Sequence, residues 1–502
     1  MAEPETKSSL LLRSARLPGI DEPVDILIAD GRITEVSGGG MPTSASATAA
    51  RRAEVGESVD LEGRWVIPGL WDEHVHFTQL ALMSRRLDVS PAESAAETAR
   101  IVGAAVVAEE FDAYSGPVVG YGFRDALWPD EPSVQLLDES ARGASVVLVS
   151  ADLHCVWLSS RAATDFGVDV DSSGLLREDE AFEVERALQM LPDVLVDSWA
   201  IAVGERAASR GVTGFVDLEM TWNRDTWIRR RAAGFASQRV RFGVYPADID
   251  RAFAAEMRTG SRVDDLLEVG HLKVLIDGSL NTRTAFCVDP YPGGSDEYGW
   301  LTVQPEELEA LLVKARAGGL VPTVHAIGDH AVRVALDVFE RLGTGGRMEH
   351  AQLISDVDLP RFGALGVVAS VQPAHLLDDR EVADHHWAGR TGRAFPLRSL
   401  IDSGATLALG SDAPVAPLDP WVTIAAAVHR RDDEREPWHP EQTITVTEAL
   451  AASAGGRTTV EAGDAADLAV LDADPWAASE RELRELPVAA TILDGRFTHR
   501  AL

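Results

Sequence analysis

The stretch "LWDEHVHF" at residues 70–77 sets His74 and His76 one residue apart, behind Asp72 and Glu73. It closes the apolar run "WVIPGL". On a β-strand, residues i and i+2 point to the same side, so the spacing aims two imidazoles at one point. Two readings fit: a pair of metal ligands oriented by the carboxylates, or a polar strand end meeting water. The same pattern recurs downstream. Lys273 sits inside the apolar run "HLKVLID", "VPTVHAIGD" carries His325 and "RMEHAQ" carries His350. "GVVASVQPAH" ends in His375, and "LALGSDAP" carries Asp412.

These residues need elements that bring them together. The middle of the chain alternates short apolar runs with amphipathic stretches such as "PEELEALLVKARAGG". Examples of the runs are "GVTGFVDLE", "RVRFGVY", "HLKVLIDGS" and "LVPTVHAIGDH". Alternation of this kind predicts a parallel sheet with crossover helices. With "WVIPGLWDEHVHF" as the first, the strands number eight. The expected fold class is therefore α/β, a (β/α)₈ TIM barrel over residues 65–454. In such a barrel the C-terminal strand ends converge on one face, which holds the active site. Five candidate ligands and a lysine would then share one small volume. Convergence favours a metal site over separate rim histidines.

Residues 85–200 exceed what one strand-to-strand connection needs and contain strand patterns of their own, "GPVVGYGF" and "ASVVLVSADLH". They read as an insertion within the barrel, expected over its active-site face. Both ends of the chain alternate apolar and polar residues around a "DGR" turn, at 30–32 and 494–496. Residues 1–64 and 455–502 are accordingly expected to meet in one composite β-sandwich. The stretch "SGGGMPTSASATAARRAEVGES" is a loop by composition.

Composition narrows the class. The 502 residues carry 25% charged side chains and a net charge of −34. Such a chain is repelled by nucleic acid and by anionic membranes, leaving a small molecule as the expected partner. A homodimer is left open. Two cysteines, Cys155 and Cys287, cannot make a disulfide framework or a Cys-rich zinc module. The N-terminus lacks signal-peptide character and no run approaches the ~18–20 apolar residues of a membrane span, so a cytoplasmic location is expected.

The segments "PGLWDEHVHF", "LKVLIDGSLNTRTAF", "VHAIGDHAV", "MEHAQLI" and "LALGSDAPVAPLDPW" resemble the amidohydrolase superfamily, in its YtcJ-like branch (amidohydrolase family 3). "SADLHCVWLSS" and "EAGDAADLAVLD" resemble that branch too, and the likeness runs through nearly the whole chain. It implies that His74, His76, His325, His350 and Asp412 are metal ligands, with Lys273 as a bridging ligand. Neutral imidazoles and a carboxylate suit Zn²⁺, as one ion or two. A protonated Lys273 would repel the metal, whereas an N6-carboxylysine would be an anionic bridge. A deprotonated lysine, or one paired with Asp277, is the alternative.

On this resemblance a metal-activated hydroxide attacks a carbonyl, and Asp412 moves the proton from water to the leaving nitrogen. His375 is the candidate oxyanion stabiliser. Asp72, ahead of Glu73, is the candidate to orient a ligand imidazole. Candidate substrate contacts are His154, Trp157, Ser279 and Arg283. The last of these could grip a carboxylate or simply pair within an acidic protein. His385, His386, His429 and His439 receive no role. The chain departs from the family pattern at His330, where arginine is usual, at Asn281, where glycine is common, and in a shortened segment before the tail. The expected activity is hydrolysis of an amide, formamide or N-acyl C–N bond. The rivals are an ester or lactone hydrolase on the same site and a catalytically silent metal-binding barrel.

Overall fold

The computed structural model describes residues 9–38, 56–107, 116–125, 128–150, 155–177, 179–189, 191–292 and 297–502. The chain divides into two compact units, one of residues 1–77 with 204–502 and the other of residues 78–203.

The first unit opens with β1 (Leu10–Ala15), β2 (Val24–Ala29), β3 (Arg32–Gly38) and β4 (Glu57–Asp60), which form one sheet in the order β3-β2-β1-β4. β2 and β3 are joined by Asp30 and Gly31, both at positive φ. That is what a two-residue hairpin turn twisted to match its strands requires. The run "WVIPGLWDEHVHF", expected as a single strand, is two. β5 (Trp65–Pro68) pairs antiparallel with the C-terminal segment Leu468–Leu471, and β6 (Leu70–Val75) opens the barrel. Pro68 lacks the N–H needed to continue a ladder, and the chain changes sheets at the residue after it. The strand Trp65–Pro68 thus belongs to the terminal sheets, not to the barrel.

The second unit is built on β7 (Arg86–Asp88), β8 (Val118–Phe123), β9 (Val146–Ser150), β10 (Cys155–Leu158) and β11 (Leu175–Arg177), in the order β11-β10-β9-β8-β7. Helices such as Ala95–Val107 and Val134–Ala141 accompany this sheet, and it has its own core around Val102, Phe123, Leu148 and Trp157.

The barrel resumes with β12 (Val212–Asp217), β13 (Arg239–Val244), β14 (Leu267–Leu275), β15 (Pro322–Ala326), β16 (Arg347–His350), β17 (Val368–Val371) and β18 (Thr406–Leu409). All eight strands, β6 included, run parallel in chain order. Closure comes from an isolated parallel bridge between Val75 and Ala413, with Asp412 N–H donating to His74 O at 2.8 Å. Gly410 permits it, since a Cβ there would lie 2.7 Å from the His74 nitrogen. Amphipathic helices such as Pro305–Gly318 and Asp329–Leu342 follow strands, each ending at a left-handed glycine. The expected TIM barrel is present.

The tail supplies β19 (Leu468–Leu471), β20 (Val488–Leu493) and β21 (Arg496–Arg500), in a sheet ordered β21-β20-β19-β5. Asp494 and Gly495 make its hairpin, both at positive φ as Asp30 and Gly31 are. The two terminal sheets share one core, with Leu12, Ile26, Val66, Val470 and Ile492 in contact. Among the described residues no helix is long and apolar enough to cross a membrane.

Candidate active site

His74 lies in β6 and His76 just beyond it; Lys273 lies in β14, His325 in β15, and His350 ends β16. Asp412 follows β18. His375, expected at the end of a strand, opens a short helix instead, because β17 stops at Val371 and Pro373 intervenes. Together they line one cavity of about 500 Å³, along with Tyr245, Ser279 and Gln352.

Asp412 stands at the centre of the group. Its Oδ1 is 3.4 Å from His74 Nε2 and 3.3 Å from His76 Nε2, with bonding geometry to neither, and His375 Nε2 lies 4.0 Å from Oδ2. One ligand atom each from His74, His76 and Asp412 falls within 4.8 Å of the others, and the same holds for His350, His375 and Asp412. His325 packs edge-on against His350, with ring centroids 4.4 Å apart, but belongs to neither trio. Its Nε2 faces Gly278 O at 3.4 Å and Asp277 at 3.5 Å.

Several buried polar atoms in this cluster have no hydrogen-bond partner: Lys273 Nζ, His350 Nδ1, His375 Nε2 and Asp412 Oδ1. Such atoms are costly inside a protein unless something binds them. A divalent cation fits the donor set, since neutral imidazole and carboxylate are its preferred ligands. The electrostatics agree. Burial and the Lys273 charge lower His74 to about 4, and burial lowers His325 to about 3. His350 is also held well below its usual range by burial and the neighbouring imidazoles. All three rings are therefore neutral near pH 7, as ligands must be. Burial would raise Asp412, but the surrounding imidazoles overcome it and hold the carboxyl below the usual range. Burial lowers Lys273 to about 8, which makes the free amine accessible near neutrality. Asp277 is not its partner: that carboxylate accepts backbone N–H groups from Phe286, Ile327 and Gly328.

Backbone strain gathers at the same place. His350, Ala351 and Asp412 adopt φ of 72°, 44° and 59°, a region that non-glycine residues rarely occupy. Strain persists where the surroundings over-determine it, commonly at functional sites.

Residues behind the cavity hold the imidazoles. Glu349 accepts His74 Nδ1 at 2.8 Å, so the ring presents Nε2 to the cavity. Glu349 is fixed in turn by Thr323 Oγ1 at 2.5 Å and Arg347 Nε at 3.3 Å. Arg347 also bonds Glu73 at 2.7 Å and Ser370 at 3.0 Å. Sequence reasoning passed over Glu349, although a carboxylate next to His350 inside a buried strand was a visible sign of it. Asp72 serves the backbone rather than a ring, accepting N–H groups of His74 and Ser411 at 3.1 and 2.9 Å.

The expected substrate contacts separate. Ser279 lines the cavity, whereas Arg283 is exposed and pairs with Glu297 at 3.1 Å. Trp157 has a different place from the one expected. Its indole is wholly buried in the core of the second unit, packed near Phe123 and Trp128, as befits a large ring on a central strand. His154 lies outside the described residues. His330 stacks on Phe286 with centroids 4.3 Å apart, and Asn281 donates to Asp379 at 2.8 Å.

A model of the amidohydrolase family, Amidohydro_3, matches residues 57–499. The chain belongs to this family. Over 98% of its length this amidohydrolase is 28% identical to Protein LONG AFTER FAR-RED 3 of Arabidopsis thaliana, covering 90% of that protein. It is 27% identical to the putative amidohydrolase YtcJ of Bacillus subtilis, covering 88% of this chain and 90% of that one. It is also 27% identical to an N-substituted formamide deformylase of Arthrobacter pascens, covering 94% of each. In fold it matches a metal-dependent hydrolase from Pyrococcus horikoshii at a TM-score of 0.76 and 24% identity, covering 94% of this chain and 99% of that one. Its membership of the family makes it a hydrolase.

Proposed function

We propose that this amidohydrolase is a metal-dependent hydrolase of an amide, formamide or N-acyl C–N bond in a small molecule. The observation that carries the reading is the set of partnerless buried donor atoms around Asp412, gathered from separate strands into one cavity. His74 and His76 with Asp412, and His350 and His375 with Asp412, would hold divalent metal, zinc being the best match to the donors, and Lys273 as a carbamate would add an anionic ligand. His325 lines the same cavity with its ring 4.4 Å from that of His350, and would be a further ligand. When bound, the ion supplies a water whose pKa falls from 15.7 to about 7 and polarises a carbonyl.

The chain's own residues do the rest. Glu349 keeps His74 in the tautomer that presents Nε2. Asp412, a carboxylate among imidazoles, accepts a proton from water at its free oxygen and returns it to the leaving nitrogen. Tyr245, Leu280 and Ile327 line the cavity beside the reacting groups. The similarity to a formamide deformylase supports an N-formyl or N-acyl substrate.

The test is hydrolysis of a panel of N-formyl and N-acyl amines by zinc-loaded protein, followed by release of free amine. Asp412→Ala is expected to lower kcat by at least about 10²-fold with the fold intact. Intact-mass measurement with and without bicarbonate should show added carbon dioxide on wild-type protein and none on Lys273→Ala. Turnover of esters or lactones but of no amide would overturn the C–N assignment. Bound zinc with no turnover of either would make the barrel a binding protein.

A further inference from the structure

The cavity is uneven in what it offers a ligand. Apart from the candidate metal ligands, its polar lining comprises Tyr245, Ser279, Asn281, Gln352, Asp378 and Asp379. Three of the neutral donors in that set are engaged, and the fourth, Gln352 Nε2, faces His375 Nδ1 at 3.5 Å. Tyr245 donates to Leu218 O at 2.6 Å, Ser279 shares a hydrogen bond with Thr282 at 2.9 Å, and Asn281 donates to Asp379 Oδ1 at 2.8 Å. Acceptors remain. Gln352 is only 3% exposed, and its Oε1 has no partner. Among the described residues no arginine or lysine pairs with Asp378 or Asp379, and the cavity lining contains no arginine and no lysine besides Lys273. Asp379 lies one helical turn beyond His375, and its N–H bonds His375 O at 2.8 Å. Residues so spaced are about 5–6 Å apart, which sets a buried carboxylate beside the reacting groups.

A ligand that fills this space must bring donors. We propose that the cavity selects N-acylated or N-formylated diamines, in which the leaving amine carries a second, protonated amino group that meets Asp379 and Asp378. The amide N–H would meet Gln352. Amides whose amine side bears a carboxylate, such as N-acyl amino acids, are disfavoured, because at that end of the cavity the anion would lie against the buried Asp379 carboxylate, with the exposed Asp378 beside it and no arginine in the lining. The reaction balances with water alone: its oxygen bonds the carbonyl carbon, the C–N bond breaks, and a carboxylic acid and the free diamine leave. This inference rests on the reading of the cavity as a C–N hydrolase site.

Three matched formamides test it: N-formylpentylamine, N-formyl-1,5-diaminopentane and N-formyl-6-aminohexanoate, with zinc-loaded full-length protein. The cationic substrate is expected to exceed the anionic one by at least about 10²-fold in kcat/KM, with the neutral one between them. The D378N/D379N double variant should shrink that ratio to within about tenfold, and raising salt should shrink it in the wild type. Equal or faster turnover of the anionic substrate would overturn the proposal, as would a ratio indifferent to both the variant and salt. Calorimetric binding of the three compounds to the Asp412→Asn protein separates the two readings. If wild type hydrolyses none of them yet the binding order holds, the C–N hydrolase reading fails and charge selection stands. A binding order that is flat or reversed sinks charge selection itself.

Discussion

Glu349 and His74 stand 275 positions apart in sequence, yet their side chains meet at 2.8 Å with both residues buried. A carboxylate behind a ligand imidazole fixes the ring's tautomer and raises its basicity, and loss of such a partner typically weakens metal binding 10–100-fold. Glu349→Gln is therefore expected to lower zinc affinity by about 10–100-fold. Competition with a fluorescent chelator measures it. Unchanged affinity would mean that the ring is held by something else.

Arg347 lies between two buried carboxylates, Glu73 and Glu349. Removing the guanidinium leaves both uncompensated in a dry environment, where breaking a buried pair costs about 3–5 kcal/mol. Arg347→Ala should destabilise the protein by about that amount in urea unfolding. Arg347→Met combined with Glu73→Gln and Glu349→Gln should recover part of the loss, because no unpaired charge then remains. Equal stability of the single and triple variants would refute this account of the network.

Chelation should abolish hydrolysis and lower the unfolding temperature together, since a ligand that binds only the folded state adds about 2.7 kcal/mol at a hundred times its Kd. Zinc titrated back should restore both along one curve. Retained activity in metal-free protein would dismiss the metal from the reaction.

Glu448 closes a capping box with Thr445 and pairs with Arg398, whose hydrogen bonds hold its carboxyl at about 2 against an ordinary 4.5. The folded pKa is depressed, so the stabilisation is complete above about pH 4.5 and is lost as the pH falls towards 2. The side chain is 31% exposed, which limits the pair to about 1 kcal/mol. Subtracting the Glu448→Gln stability curve from the wild-type curve should give a plateau of that size above pH 5 and a decline below it. A flat difference would place the effect elsewhere.

Much of this was legible in the chain itself. Short apolar runs with a histidine or aspartate at the end mark the barrel strands and the residues at its mouth, because parallel barrel strands end together on one face. The paired Asp-Gly turns marked the terminal hairpins, because only a few residues tolerate two consecutive left-handed positions. Other relationships are invisible along the sequence. That Pro68 ends a strand of one sheet while Leu70 begins another depends on which partner each segment meets. That His375 belongs to a helix follows from a local break at Pro373 whose consequence appears only once the strand has ended. The support of His74 by Glu349, the isolation of Lys273 from Asp277, and the burial of Trp157 away from solvent were decided by tertiary structure alone. Side-chain partnership depends on distances of about 3 Å, and only the packed barrel sets those distances between strands so far apart in the chain.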